Sequence, residues 1–267
     1  MNRRGMVQRF SGGLVLILFC LFLFGEVQAE PRGRLDPAKA DSLVQSGVDL
    51  LTASDIYSLA WEHEKSLQQL LLSSTNPADI LWREARANID MGENLDEEEG
   101  EPFFERAVEQ SKRAIEMAPE NADAHLMLAI ASGRMALLRG PFKAAGLVKQ
   151  AFREAHLAAA LGDSIPVAFY VIGRTHKKLM EKSGLARTVA GLTFASEDSI
   201  PIYFEKTLEV CDGNMIQCHV EYADFLLNER GDKEAAKEHC EAALALPLRD
   251  EQDVKAQAWA REMLAEM

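Results

Sequence analysis

Six histidines and four cysteines are the side chains of this sequence best suited to chemistry. His63, His125, His156, His176, His219 and His239 are scattered along the chain. His63-Glu64 is not followed by a second histidine at helical spacing, so the zinc-peptidase pattern fails. There is no nucleophile elbow, no phosphate-binding loop and no dinucleotide fingerprint. Cys218-His219 and His239-Cys240 suggest a metal at first sight. Adjacent residues on a helix diverge by about 100°, so these four side chains cannot all face one ion, and Cys218 and Cys240 are expected to fill core. The run Asp96-Glu97-Glu98-Glu99 lacks the alternating spacing of a calcium loop and is expected to be a solvated loop. No catalytic group, metal site or cofactor is expected, and the chain reads as a binding protein and not an enzyme.

The ends and the composition bound the setting. Arg3, Arg4 and Arg9 precede an apolar run from Leu14 to Phe24, and Val27-Gln28-Ala29 offers small residues where a signal peptidase reads. The run is too short to span a bilayer, for which about 20 residues are needed. Residues 1–29 are expected to be a cleaved signal peptide, making the protein periplasmic or secreted; an uncleaved anchor is the alternative. Ile17-Leu18-Phe19 before Cys20 are too bulky for a lipidation site. Residues 30–267 are expected to form a single repeat domain. Losing the signal removes three arginines and Glu26, taking the net charge from −13 to about −15. Such acidity argues against nucleic acid or an anionic membrane as the main partner. Cys211, Cys218 and Cys240 would remain, an odd number that excludes a disulfide scaffold. Counted outward from Gly231, Cys240 falls opposite about Glu221, so free thiols are expected.

The elements that must position any site are helices. Apolar periodicity and punctuation predict helices from Asp36 to Leu51 and from Ser54 to Leu72. Further helices run from Pro77 to about Met91 and from Pro102 to Met117. Others are expected over 121–138, 141–161, 165–181, 198–211, 214–229, 232–246 and 251–266. Gly140-Pro141 and Gly231-Asp232 punctuate them. Helices of about four turns with tight connectors imply antiparallel hairpins.

Small residues recur along the second helix of each hairpin. Ala107, Ser111, Ala114 and Pro119 fall at positions 20, 24, 27 and 32 of a 34-residue unit. Ala236, Cys240 and Ala243 repeat the first three, with Pro247 one residue early. First helices carry Trp82-x-x-Ala85, His125-x-x-Leu128-Ala129 and Phe169-x-x-Ile172-Gly173. This resembles the tetratricopeptide repeat: small residues let helix backbones approach, and proline ends the pair. The expected fold is therefore all-α, a tetratricopeptide-like array of helical hairpins forming an α-solenoid. An acidic loop from Glu93 to Glu101 lengthens one hairpin. Residues Gly184 to Glu197 interrupt another, where Leu185 through Phe194 are expected to form a short extra helix. With these departures the stretches LWREARA (81–87), YVIGRTHKK (170–178), YFEKTLEV (203–210) and ALALPLRDEQDVKAQAWAREML (243–264) resemble the regulator of microtubule dynamics family over about residues 55–267. The resemblance implies fold and binding character, not a cytoskeletal role.

In such a solenoid the first helices line a concave groove. The groove positions typical of tetratricopeptide repeats fall here on Arg83, Arg134, Tyr170, Arg174, Lys177 and Lys178. These six are the expected partner-binding residues. A cationic groove in an acidic chain implies a protein or peptide ligand, acidic or presenting its C-terminal carboxylate. The alternative is a lipid or small solute, as in an accessory protein of an envelope uptake system, held between the alanine-rich helices around Gly133, Gly140 and Gly146. An open charged groove favours the first; a closed apolar pocket favours the second.

Overall fold

The signals that stop each helix set the architecture. A computed structural model describes residues 77–267 apart from 140 and 163, and apart from the side chains of 141–143. The expected signal peptide and the helices expected from Asp36 and Ser54 lie outside the described residues. The described chain contains ten α-helices and no strand: α1 (Pro77–Glu93), α2 (Glu97–Met117), α3 (Ala122–Leu138), α4 (Pro141–Leu161), α5 (Pro166–Met180), α6 (Gly184–Ala190), α7 (Ser199–Val210), α8 (Ile216–Phe225), α9 (Lys233–Ala245) and α10 (Glu251–Glu266). A π-helical turn, Leu226–Arg230, continues α8 to the left-handed Gly231. Helices α1 and α2, α3 and α4, α5 and α7, and α8 and α9 pack as hairpins, and α10 lies against α8 and α9. Among the described residues no helix is long and apolar enough to cross a membrane.

Capping side chains fix half of the ten helix starts. Asp96, Asn121, Ser183, Asp232 and Asp250 each accept a hydrogen bond from the backbone N–H three residues on, at 2.8–3.2 Å. One expectation changes as a result. The acidic run after Glu93 is not a loop: Asp96 caps α2, and Glu97, Glu98 and Glu99 form its first turn. Three carboxylates there meet the positive end of the helix dipole. Pro102 therefore lies inside α2 and does not open it. The extra helix expected from Leu185 to Phe194 stops at Ala190, because Gly191 turns left-handed with φ 65°. Phe194 instead stacks on Phe152 of α4 at 4.2 Å, and the Ser196 N–H donates to His176 Nδ1 of α5 at 3.0 Å, tying this insertion to both helices.

The small-residue seams are buried. Ala107, Ser111 and Ala114, and their counterparts Ala236, Cys240 and Ala243, are all fully buried. Gly173 serves the same purpose in α5: a Cβ there would meet Phe204 and Tyr203 of α7 at 3.1 Å. The Gln257 amide of α10 donates to the carbonyls of Ala243 and Leu246 at 2.9 Å each, satisfying the end of α9. Ala243→Leu is expected to overpack this seam at a cost of about 1–3 kcal/mol. A thermal melt should fall by several degrees, and an unchanged melt would place Ala243 off the contact face. Among the described residues Cys211, Cys218 and Cys240 are free thiols. Cys218 sits in a core with Phe204 and Phe225, and Cys240 in a separate one with Ile216 and Met263.

Candidate binding cavity

A cavity of about 440 Å³ is lined mainly by α3, α4, α5 and α6. Its floor and sides are apolar: Ile130 and Leu137 of α3, Val148 and Ala151 of α4, Val171 and Leu179 of α5, and Ala186 and Ala190 of α6. The insertion between α5 and α7 thus supplies one wall. The charged wall residues are Arg134, Arg174, Lys178, Lys182 and Arg187 against Glu93 and Asp250, so cations predominate. Gln217 and Gln252 complete the polar part. The Gln252 amide also donates to the Glu93 carbonyl at 3.2 Å, so the start of α10 meets the end of α1 beside the cavity.

Four of the six expected partner-binding residues line this cavity: Arg134, Tyr170, Arg174 and Lys178. Helical spacing explains the grouping on α5, because 170, 174 and 178 recur every fourth residue on one face. Arg83 is not among the lining residues. Its guanidinium donates to the Asp79 carbonyl at 3.2 Å and stacks over Trp82 at 4.4 Å. Lys177 is also absent from the wall, because its side chain is only 4% exposed and faces α8. Of the three arginines expected to bind the partner, two line the cavity, Arg134 and Arg174.

Each of these cations already meets an acid of the protein. Arg134 pairs with Glu93. Arg174 Nε donates to Glu221 Oε1 at 2.9 Å, and Lys178 to Glu181 at 2.8 Å. Lys177 Nζ sits 2.6 Å from both Glu221 Oε2 and Asp224 Oδ2. Burial alone would raise the Glu221 carboxyl, but Arg174 and Lys177 overrule it and hold the group at about 2. Glu221 is thus an anion near neutral pH, and it aims Arg174. Burial pushes the Tyr170 phenol well above its ordinary value, so it stays neutral beside the arginines. Where the two ends meet, burial drives Asp90 up to about 7; Arg86 opposes this, and Glu93 and Asp250 add to it.

Sequence reasoning missed Glu221, Lys182 and Arg187. Glu221 lies on the next first helix, 47 residues beyond Arg174, and no local pattern links the two. Lys182 and Arg187 lie between α5 and α7, outside the repeat numbering that selected the other cations.

Residues 38–267 match the family model described as regulator of microtubule dynamics protein 1-3. The fold is similar to the crystal structure of TTC0263, a thermophilic TPR protein in Thermus thermophilus, with a TM-score of 0.56. That likeness covers 85% of this chain and 98% of that chain at 14% identity. A looser likeness, with a TM-score of 0.44 and 16% identity, extends over 87% of this chain and 96% of MamA. No curated protein sequence matches the chain.

Proposed function

Because the chain belongs to the regulator of microtubule dynamics protein 1-3 family, and carries its cavity on a tetratricopeptide-like scaffold, we propose that it is a non-catalytic adaptor that grips a segment of a partner protein. The segment presents a carboxylate beside an apolar side chain. The observation carrying this reading is that Arg134 of α3 and Arg174 of α5 line the same cavity as apolar side chains of α3, α4, α5 and α6. A guanidinium fork matches a carboxylate with two parallel hydrogen bonds. A ligand carboxylate would share the arginines with Glu93 and Glu221, which keep them in place when the site is empty. The chain's overall negative charge would repel acidic chains elsewhere on the surface and favour the cavity.

The apolar floor favours a second reading, a single small amphiphile with an anionic head. One experiment separates the two. A photo-crosslinking residue at Val171, on the cavity wall, is irradiated in native extracts, and the adducts are sequenced by mass spectrometry. Peptide adducts support the adaptor; adducts of a small amphiphile alone replace it with the second reading.

Arg174→Ala is expected to weaken binding of a carboxylate-terminated peptide recovered in this way by about 1–3 kcal/mol, the range for a charged hydrogen bond. Lys177 still holds Glu221 in the variant and Arg174 is the more exposed of the two cations, so the melt should fall less than when Lys177 is removed. Rising salt should weaken the wild type more than the variant. Lost folding with intact binding would show Arg174 to be structural. We also propose that the protein acts after export and begins at Glu30. N-terminal sequencing of the exported protein checks this, and a retained 14–24 segment in the membrane fraction would overturn it.

A further inference from the structure

The hairpin of α8 and α9 carries two histidines that the cavity does not use. His219 Nδ1 and His239 Nδ1 lie 2.9 Å apart. His219 Nε2 lies 2.9 Å from the Gly213 carbonyl, which can only accept. Nε2 therefore carries the ring proton, and Nδ1 presents its lone pair to His239. In the metal-free protein, His239 Nδ1–H donates to that lone pair.

We propose that His219 and His239 form a two-imidazole site for a divalent transition metal of the zinc, copper and nickel class, joining α8 to α9. The imidazole donors define the class. Two nitrogens on a tetrahedral ion stand about 3.3 Å apart, so the rings need separate by only a few tenths of an ångström. An outer-shell hydrogen bond of the kind that orients a metal-binding histidine is already present, from His219 Nε2 to Gly213. His239 must move its proton from Nδ1 to Nε2. Its ring is half-buried, so solvent can carry the exchange and no net proton is released.

The surroundings supply the rest. Burial keeps both rings neutral, the state a ligand requires: His219 is held below its ordinary value, and His239 is lowered to about 4 by burial and by His219, with Glu205 opposing. The Glu205 carboxylate, whose Oε1 accepts the Tyr222 hydroxyl at 2.7 Å, is near enough to act on His239 through its charge. It adds negative charge for a cation, and water fills the open positions. The neighbouring Cys218 and Cys240 cannot join, because both thiols are buried in separate cores. Among the described residues no group of three or more His, Cys, Asp or Glu side chains is arranged as a fuller metal site, so water or a small movement of Glu205 must complete the shell.

Calorimetric titration of the full chain with zinc ion near neutral pH tests the proposal. Wild type should bind zinc at least tenfold more tightly than His219→Gln or His239→Gln. Zinc should raise the melting temperature of wild type and of neither variant, since an ion that binds only the folded state stabilises it. His239→Gln should melt like wild type without metal, because its ring is half-buried only. Equal zinc affinity in all three proteins would overturn the site, as would no heat of binding in any of them. Cobalt substitution adds a spectroscopic check: thiolate charge-transfer bands would assign the metal to cysteine and reject the histidines.

Discussion

Lys177→Met is expected to lower stability by about 3–5 kcal/mol, the cost of removing one partner from a buried ion network. For a chain of this size the melting temperature should drop by roughly 6–20 °C. The ammonium is almost wholly enclosed between Glu221 and Asp224 and lies 5.6 Å from the Trp259 ring centroid. Methionine fills much the same volume, so the loss reports charge and not a void. It leaves Asp224 with no cation, only the Asn228 amide, and Glu221 with Arg174 alone. Adding Asp224→Asn to Lys177→Met should restore part of the loss, because the anion left without a cation is then neutral. Two single costs that simply add would mean that the residues do not act on each other.

The same network sets an acid limit. Glu221 is held at about 2, below the ordinary 4.5. A carboxyl depressed on folding supplies stability that is fully present above pH 4.5 and is lost as pH falls toward its folded value. The wild type should therefore weaken from pH 4.5 downward. Glu221→Gln should be less stable at neutral pH and show a shallower acid loss. Parallel slopes in the two proteins would remove Glu221 as the cause.

Phe204→Ala is the second large effect, expected to cost about 3–5 kcal/mol. Phe204 is completely buried and packs with Ile200, Tyr222 and Phe225. Its ring approaches the Cβ position of Gly173 at 3.1 Å, and its centroid lies 6.2 Å from that of Tyr170 on the cavity wall. Gly173→Ala alone should destabilise by crowding this ring. In the Phe204→Ala background that crowding is gone, leaving only the Tyr203 contact, so the glycine substitution should cost less. Denaturant unfolding of the four proteins measures the coupling, and its absence would show that α5 and α7 do not meet at Gly173. Loosening Tyr170 should also weaken the cavity's ligand, linking this core to binding.

Much of the fold was legible in the sequence because its causes are local. Asn121 and Asp232 cap within three residues, Gly231 turns the chain by itself, and the spacing of Ala236, Cys240 and Ala243 dictates a buried seam whatever packs against it. The 170, 174, 178 spacing likewise placed three side chains on one face before any contact was known. The acidic run after Glu93 was misread because the same residues suit a solvated loop and a helix start; only the Asp96 cap decides between them. What tertiary structure alone decided was the electrostatics. Lys177 and Lys178 are neighbours with the same charge, yet one is enclosed by Glu221 and Asp224 while the other reaches the cavity. That outcome depends on α8, more than 40 residues further along the chain. His219 and His239, 20 residues apart, meet for the same kind of reason. Periodicity determines which face of a helix a residue occupies, but the register between packed helices determines which charge or ring it meets there.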